Sequence, residues 1–385
     1  MSPYMKILVI IPTLGFGGAE RLLVTLLPLL KKKGYQIKLC IFNKPDNLSE
    51  ELTKNGIEFI NLNTMHRWSL VETLYKLRKE IRIFKPDILW SHLYFGILYS
   101  RLVSILCPKI SVITVLHDSL SSDYTATGPW YKFRMWLYKK SKKFDSQTFA
   151  VSKTVAQEYK LQFAWQGIEV IYNAIDLQKI DSCLQDNTSE KQNVYSKTDE
   201  SEILIVTPGR LDKRKGHIYL VDAIYKLKPT IKSKIKVLFI GDGPEKSQLI
   251  EYINKRNLSD SIKLCGNLEQ SQLFQILNMA NFVVIPSLQE PFGIVAIEAM
   301  YLQKPIIVTC IDGLKEITTD QYDAMQVPIQ DSSAIADSIT TLISHPKLAD
   351  NIAKQAKITA RQYDAQAIIK KWTKVFEKER LTCAD

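Results

Sequence analysis

Residues 282–300 read FVVIPSLQEPFGIVAIEAM. The first four residues are apolar and mostly β-branched, which favours a buried strand. A turn with two prolines and a glycine follows, and residues 294–302 are apolar at nearly every position, which favours a buried helix. A strand that passes through a short loop into a helix is the repeating unit of parallel α/β folds.

The same unit recurs along both halves of the chain. Short apolar runs predict strands, and segments with helical spacing lie between several of them. The predicted strands are 7–11, 37–42, 57–62, 88–90, 110–116, 149–151 and 169–172, then 203–207, 236–240, 262–265, 282–285 and 305–309. The pattern predicts an α/β protein with two Rossmann-like domains, each a doubly wound parallel sheet.

A polar stretch with few core-forming residues, 181–202, separates the two sets of strands and predicts a linker. We therefore expect an N-terminal domain at 1–180 and a second domain at 203–359, each of a size that one hydrophobic core supports. The tail, 360–385, predicts a C-terminal helix that packs back on the N-terminal domain. Its apolar stripe comprises Ala367, Ile368, Trp372, Val375 and Phe376.

The net charge of the 385-residue chain is +11, and residues 1–176 carry +10 of it. Nucleic acid, anionic lipid or an acidic substrate could each explain a basic first half. The six cysteines are scattered without a CxxC pair, and no apolar run reaches the 18 or so residues of a membrane span. We therefore expect a cytoplasmic protein.

Two carboxylates in the opening stretch suggest a ligand site at its loop. Glu298 lies among apolar residues, where a carboxylate without a partner is costly. If the stretch from Glu290 to Glu298 is helical, the two acids lie about 12 Å apart along the axis. The two catalytic carboxyl groups of a retaining glycosidase lie about 5 to 5.5 Å apart. Because Glu290 and Glu298 would lie farther apart than this, they suit the two ends of one long ligand. In the alternative interpretation, Glu290 is a solvated acid in a loop and Glu298 lies on an exposed edge of the helix.

The motif EPFGIVAIE (290–298) resembles the signature of the retaining glycosyltransferases of family 4, which have the GT-B fold of two facing Rossmann-like domains. The resemblance implies that Glu290 lies beside the transferred sugar, in a catalytic position. Glu298 would hold the ribose hydroxyls of the nucleotide. Ile294 and Val295 would offer backbone amides to donor oxygens at the start of a helix.

A basic loop, PGRLDKRKG (208–216), follows a predicted strand. A departing diphosphate gains negative charge, which a guanidinium and an ammonium would stabilise. The family pattern matches Arg210 and Lys215, whereas Lys213 and Arg214 are expected to be solvated. A basic loop alone is more often plain surface, but its position after a strand favours a site.

A glycine loop, TLGFGGAER (13–21), lies between the first strand and the first long helix, where glycines permit close approach of a phosphate. A nicotinamide-dependent dehydrogenase is a rival interpretation. That interpretation requires an acid at the end of the second strand, where Asn43 stands. In the resembled family, Gly17 and Gly18 match a loop that covers the donor.

Two histidines and one loop complete the predicted site. The family places a histidine beside the transferred sugar, and His117, after the strand at 110–116, matches it as a second catalytic residue. His92, after 88–90, is a weaker candidate on the acceptor side. Leu268, in GNL (266–268), matches a loop whose backbone contacts the nucleotide base. Asp312 stands where the family often has glycine and could alter donor choice or tighten the loop.

Residues 130–144 contain six basic residues and no acid. Aromatic side chains beside lysines suit the headgroup zone of an anionic membrane, so we expect membrane or acceptor contacts here. They are Trp130, Phe133, Lys139, Lys140 and Lys143. A core-packing helix with a charged outer face is the alternative. Nucleic acid is disfavoured because no recognised binding module accompanies the charge.

Together these features predict an enzyme that transfers a hexose or N-acetylhexosamine from a nucleotide diphosphate sugar, a UDP-sugar in our expectation, to a glycan or lipid-linked glycan. Retention of the anomeric configuration is implied by the resemblance. We expect no metal and no cofactor, a role in cell-surface polysaccharide or glycan assembly, and peripheral attachment to the inner membrane face. A GT-B nucleotide-sugar epimerase and a non-catalytic membrane-associated scaffold remain alternatives.

Overall fold

The computed structural model describes residues 5–64, 70–107, 109–118, 128–185, 195, 199 and 201–382. The chain divides into two compact units. The first comprises Met1–Ala174 and Ala365–Asp385, and the second comprises Ile175–Asp364. Residues 175–185, which the sequence assigns to the first domain and the linker, therefore belong to the second unit.

In the first unit, the described residues form one parallel sheet of seven strands in the order β3-β2-β1-β4-β5-β6-β7. Its strands are β1 (Lys6–Ile10), β2 (Gln36–Ile41), β3 (Glu58–Asn61), β4 (Ile88–His92), β5 (Ser111–Leu116), β6 (Gln147–Ala150) and β7 (Ile168–Val170). Both β4 and β5 are buried along their whole length, as central parallel strands covered on two faces should be.

In the second unit, the described residues form a parallel sheet of six strands in the order β10-β9-β8-β11-β12-β13. Its strands are β8 (Ile203–Pro208), β9 (Ile235–Ile240), β10 (Ile262–Gly266), β11 (Phe282–Ile285), β12 (Ile306–Thr309) and β13 (Met325–Val327). Each of the predicted strands is found within one or two residues, which confirms the doubly wound fold class. The edge strand β13 was not predicted.

Helices connect the strands in both units. They are α1 (Gly18–Lys32), α2 (Ser49–Lys54), α3 (Leu70–Phe84), α4 (Leu93–Ser104), α5 (Pro129–Ser141), α6 (Lys153–Phe163), α7 (Leu177–Gln185), α8 (His217–Lys226), α9 (Pro229–Lys232), α10 (Lys246–Lys255), α11 (Gln270–Met279), α12 (Ile294–Tyr301), α13 (Asp312–Ile317), α14 (Ser332–Ser344), α15 (Pro346–Ala360) and α16 (Ala365–Thr382).

Each sheet reverses its strand order once, between β1 and β4 in the first unit and between β8 and β11 in the second. In open parallel sheets, ligands bind beyond the carboxyl ends of the strands at this reversal. The loops that follow these strands are therefore the places to look for a site in each unit.

The first residues of the predicted linker are helical. Helix α7 runs through residues 181–185, and Tyr301 on α12 donates a hydrogen bond of 2.8 Å to the carboxylate of Asp181. Ile180 is buried. These contacts anchor α7 within the second unit, although its sequence is polar.

The C-terminal helix α16 packs within the first unit. Trp372 lies 4.8 Å from Trp90 and 5.1 Å from Phe149, measured between ring centroids. The buried stripe includes Ile368, Ile369, Trp372 and Phe376. Ala367, which the sequence placed in this stripe, is exposed.

Candidate functional site

The basic loop of the second unit follows β8 and is shaped by its own carboxylate. Asp212 accepts a hydrogen bond of 3.0 Å from the backbone amide of Arg214 and thereby caps the single turn Lys213–Lys215. The side chain of Arg210 is 68% exposed and that of Lys215 is 25% exposed. The loop thus presents one solvated guanidinium and one half-buried ammonium.

The loop that follows β11 is joined to this basic loop. The carbonyl of Arg214 accepts hydrogen bonds from the backbone amides of Leu288, at 2.6 Å, and Gln289, at 3.3 Å. Lys215 Nζ lies 2.5 Å from Glu290 Oε2. The sequence assigns Lys215 to the diphosphate and Glu290 to the sugar. In the structure the two side chains form one ion pair.

Asp312, at the start of α13, fixes the backbone of Glu290. Asp312 Oδ2 accepts a hydrogen bond of 3.3 Å from the Glu290 amide, and the Gly313 amide donates one of 3.0 Å to the Glu290 carbonyl. A Cβ at Gly313 would lie 2.4 Å from Phe292 Cα, so only glycine fits there. Asp312 therefore tightens the loop, one of its two predicted effects.

Helix α12 begins at Ile294, where the apolar run at 294–302 predicts it. Gly293 precedes it with φ of 101°, a left-handed conformation that favours glycine. Glu290 lies outside the helix, so the premise of a helical stretch joining Glu290 to Glu298, with its axial spacing of about 12 Å, is wrong.

The first turn of α12 contains Ile294 and Val295, both half-buried. The first amide bonded within the turn is that of Ala296, which donates to the Gly293 carbonyl at 3.0 Å. The preceding amides are the ones that a helix start leaves for a ligand. Glu298 lies one turn further along and is 6% exposed.

Leu268 lies between β10 and α11 and is half-buried. Because β8, β10, β11 and β12 are parallel, the loops that carry Arg210, Leu268, Glu290 and Asp312 all leave the same edge of the sheet. The site residues predicted for the second unit therefore share one edge, and the structure brings Lys215 and Glu290 into direct contact.

In the first unit, Gly17 and Gly18 form the start of α1, with Gly17 as the N-cap residue. Glu20, which was not predicted as a site residue, covers this turn. A Cβ at Gly17 would lie 2.3 Å from Glu20 Oε2. The sequence signal for this contact is an acid three residues after a helix N-cap.

The carboxyl of Glu20 is 8% exposed. Burial raises its pKa to about 6, a hydrogen bond from its own backbone amide opposes the shift, and the nearby Asp118 adds to it. Asp118 follows His117 in the chain, so the glycine turn of α1 and the end of β5 lie close together.

His117 and His92 form a buried pair at the ends of β5 and β4. His92 Nδ1 lies 2.8 Å from His117 Nε2. Burial lowers the pKa of His117 to about 3. Burial, followed by the facing His117 ring, holds the pKa of His92 well below its usual range. Both rings are therefore neutral near pH 7.

Helix α5 exposes a row of stacked aromatic rings. Phe133 lies 5.6 Å from Trp130 and 6.0 Å from Trp136 between ring centroids. The three side chains are 60%, 47% and 54% exposed in the order Trp130, Phe133 and Trp136. The exposed lysines beside them are Lys132, Lys139, Lys140 and Lys143. Trp136 thus adds a third exposed ring to the predicted Trp130 and Phe133.

The opposite side of α5 is anchored by a buried ion pair. Arg101 on α4 bonds Asp145 through Nε at 2.7 Å and Nη2 at 2.6 Å, and its Nη1 donates to the Tyr138 carbonyl at 3.1 Å. The guanidinium also lies 4.9 Å from the ring centroids of Tyr138 and Trp165. The helix therefore has a core-packed side and an exposed aromatic side.

In the described ranges, no group of three or more His, Cys, Asp or Glu side chains could hold a metal ion. None of the helices in the described part of the chain combines the length and apolar character needed to cross a bilayer.

Family models match both units. The model described as Glycosyltransferase Family 4 matches residues 16–179, and the model described as Glycosyl transferases group 1 matches residues 188–359. With the parallel sheets and the EPFGIVAIE motif, these matches make the protein a glycosyltransferase of GT-B fold. The chain belongs to glycosyltransferase family 4.

Two proteins of Campylobacter jejuni are similar along nearly the full chain. The N-acetylgalactosamine-N,N'-diacetylbacillosaminyl-diphospho-undecaprenol 4-alpha-N-acetylgalactosaminyltransferase is 24% identical over 93% of this chain and 96% of its own. The GalNAc-alpha-(1->4)-GalNAc-alpha-(1->3)-diNAcBac-PP-undecaprenol alpha-1,4-N-acetyl-D-galactosaminyltransferase is 23% identical over 96% and 98%. The names of both relatives describe transfer to undecaprenol-linked glycans.

Solved structures share the fold. Anabaena HepE in complex with UDP-glucose superposes with a TM-score of 0.82 at 19% identity, covering 97% of this chain and 100% of that one. The lipopolysaccharide outer core galactosyltransferase WaaB superposes with a TM-score of 0.71 at 16% identity, covering 97% and 100%. At these identities the likeness establishes the GT-B fold alone.

Replacing Glu20 with glutamine tests the buried carboxyl. Its folded pKa, about 6, exceeds the ordinary value of 4.5, so the folded wild type binds a proton more readily and loses stability as pH rises between these values. Above pH 6 the deficit is on the order of 2 kcal/mol. We expect Glu20→Gln to unfold at a higher temperature than wild type at pH 7.5, with the advantage vanishing near pH 4.

Thermal melts at both pH values provide the measurement, with Glu72→Gln as the control because the Glu72 side chain is 50% exposed. A Glu20→Gln advantage that is the same at pH 4 and pH 7.5 would contradict the buried, proton-binding carboxyl.

Proposed function

We propose that this glycosyltransferase moves a hexose or N-acetylhexosamine from a uridine diphosphate sugar to a lipid-linked glycan, with retention of the anomeric configuration. The observation that carries the proposal is the contact of 2.5 Å between Lys215 Nζ and Glu290 Oε2. The Lys215 ammonium suits a diphosphate, and the Glu290 carboxylate suits sugar hydroxyls. Their contact places the two groups side by side, as the diphosphate and the sugar are in the donor.

The diphosphate interacts with Arg210, Lys215 and the start of α12. The exposed guanidinium of Arg210 offers paired donors, and the ammonium of Lys215 offers a compact charge. Backbone amides at Ile294 and Val295 add donors and the positive end of the helix dipole. These groups stabilise the negative charge that grows on the departing diphosphate without a metal ion.

The two acids bind the neutral parts of the donor. Glu298 accepts hydrogen bonds from the ribose hydroxyls. Glu290 accepts hydrogen bonds from hydroxyls of the transferred sugar, and Asp312 holds its backbone in place. The backbone beside Leu268 contacts the base. The UDP-glucose complex of Anabaena HepE, which shares the fold, supports a uridine donor.

In the reaction, the bond between the anomeric carbon and the diphosphate oxygen breaks, and its electron pair leaves with the diphosphate. The acceptor hydroxyl attacks the anomeric carbon on the same face, and its proton passes to the departing diphosphate oxygen. His117 contacts the reacting sugar as a neutral imidazole, since its pKa is about 3. Gly17 and Gly18 have no side chains, so the donor can approach the backbone of this turn closely.

The acceptor is a glycan carried on a lipid. Two relatives that span nearly the whole chain are named for transfer to undecaprenol-linked glycans. The exposed rings of Trp130, Phe133 and Trp136 on α5, with lysines beside them, suit the headgroup zone of an anionic membrane where such an acceptor lies. The enzyme would then work at the cytoplasmic membrane face in glycan assembly.

A transfer assay tests the reaction directly. Purified chain is incubated with UDP-glucose, UDP-N-acetylglucosamine or UDP-N-acetylgalactosamine, with and without undecaprenyl diphosphate-linked glycans extracted from a polysaccharide-producing strain. We expect one donor to give UDP and an extended lipid-linked glycan whose new anomeric centre matches that of the donor by NMR.

The control without acceptor separates the alternatives. A changed sugar on the intact donor would indicate an epimerase and contradict transfer, and an inverted anomeric centre would contradict retention. Lys213→Ala serves as the matched variant for Lys215→Ala because Lys213 lies in the same loop but is exposed. We expect only Lys215→Ala to lower turnover, by roughly 10- to 100-fold, the value of a charge-assisted hydrogen bond.

Liposome flotation tests the membrane role of α5. Lys132, Lys139, Lys140 and Lys143 are changed together to glutamine, and Lys142 is kept because its Nζ lies 3.8 Å from buried Asp145. We expect this variant to bind phosphatidylglycerol vesicles at least roughly tenfold more weakly than wild type, since each lysine near an anionic surface contributes about 1 kcal/mol.

The control changes the exposed residues Lys228, Lys234, Lys255 and Lys354 of the second unit to glutamine, which removes the same charge. Equal loss of binding in both variants would show that net charge, and not α5, attracts the membrane. Unchanged binding in the α5 variant would contradict the lipid contact.

A further inference from the structure

The two buried histidines of the first unit lie at the carboxyl ends of neighbouring strands. His92 is the last residue of β4, and its Cα pairs with that of Val115 on β5. His117 follows β5 directly, so the parallel register places the two rings side by side. Their centroids lie 5.1 Å apart, and His92 Nδ1 lies 2.8 Å from His117 Nε2.

A hydrogen bond between these two nitrogens needs one hydrogen between them. A neutral imidazole carries its hydrogen on one nitrogen only. If His92 Nδ1 carries it, His117 Nε2 is bare and His117 must be protonated on Nδ1. If His117 Nε2 carries it, His92 Nδ1 is bare and His92 must be protonated on Nε2. The contact therefore couples the rings, and both hold the hydrogen on the same-named nitrogen.

The outer nitrogens of the pair differ in their surroundings. Neither His92 Nε2 nor His117 Nδ1 has a hydrogen-bond partner among the described residues. The His92 ring lies 4.8 Å from Trp90 between centroids, and Trp90 in turn contacts Trp372, so the His92 side faces the aromatic core. A buried nitrogen without a partner is costly, and a ligand oxygen at His117 Nδ1 would supply the missing partner.

We infer that His92 is a positioning residue for His117: through the Nδ1–Nε2 hydrogen bond it fixes the ring orientation and the tautomer with which His117 Nδ1 meets the sugar. His92 thus acts through His117 and not as a separate acceptor contact. The inference rests on the proposed function, in which His117 contacts the reacting sugar.

Imidazole NMR of the ¹⁵N-histidine-labelled full chain tests the coupling without any substrate. Long-range ¹H–¹⁵N correlations distinguish an Nδ1–H ring from an Nε2–H ring, and substitutions of each histidine assign the signals. We expect His92 and His117 to be neutral at pH 7 and to share one tautomer. Opposite tautomers in the wild type would overturn the inference.

Two variants test the positioning role. His92→Phe keeps an aromatic ring but removes the bond, and we expect a mixed His117 tautomer and a fall in kcat of roughly tenfold or more with little change in KM, as for a misplaced reacting group. His92→Asn, which retains a polar atom near the Nδ1 position, should recover most of kcat and a single His117 tautomer.

His345→Asn is the matched control because His345 is exposed in the second unit. Wild-type kcat and an unchanged His117 signal in a folded His92→Phe variant would overturn the inference. A wild type that transfers no sugar would instead contradict the proposed function, while the shared tautomer could still be observed. If His92→Phe melts before the assay temperature, the wild-type spectrum and His92→Asn decide the outcome.

Discussion

The ion pair between Lys215 and Glu290 depends on one constraint, the parallel arrangement of β8 and β11, which brings the loops after both strands to the same edge of the sheet. Gly216 has φ of 63°, and a Cβ there would lie 2.1 Å from the Pro286 carbonyl oxygen. Only a residue without a side chain permits this approach. The pair thus rests on backbone geometry as well as on charge.

This arrangement also fixes the loops that carry the candidate site. Lys215 and Glu290 satisfy each other, the Arg214 carbonyl holds the loop after β11, and Asp312 holds the Glu290 amide. In the proposed function, a bound diphosphate would offer Lys215 a more highly charged partner, and the sugar would offer Glu290 hydroxyl donors. Binding would therefore exchange partners within a loop that is already positioned, which limits the ordering cost.

Most of the fold was predictable because strands buried on both faces are short apolar runs, and twelve such runs are found as strands. The edge strand β13 has three residues, too few for periodicity to show. Helix α7 was taken for linker because its sequence is polar and its position depends on Tyr301, which lies 120 residues away. The start of α12 at Ile294 was predicted, but a helical path back to Glu290 is not found because Gly293, with φ of 101°, precedes the helix.

The candidate site residues were selected by motif, but their contacts could not be predicted. Arg210, Lys215, Glu290 and Glu298 could be located from local spacing and from their place in segments that come directly after strands. The pairing of Lys215 with Glu290, and of His92 with His117, depends on which strands are neighbours in the sheet. Strand order is a property of the whole fold, so local sequence patterns cannot show it. The roles of these residues in transfer stay predictions.

The most direct test is calorimetric titration of UDP into wild type, Lys215→Ala and Glu290→Gln. If Lys215 exchanges Glu290 for the diphosphate, Lys215→Ala should bind UDP roughly 10- to 100-fold more weakly, the loss expected for a charged hydrogen bond. Glu290→Gln frees the ammonium and should bind UDP as tightly as wild type or more tightly. Wild-type affinity in Lys215→Ala, or an equal loss in both variants, would contradict the exchange of partners at Lys215.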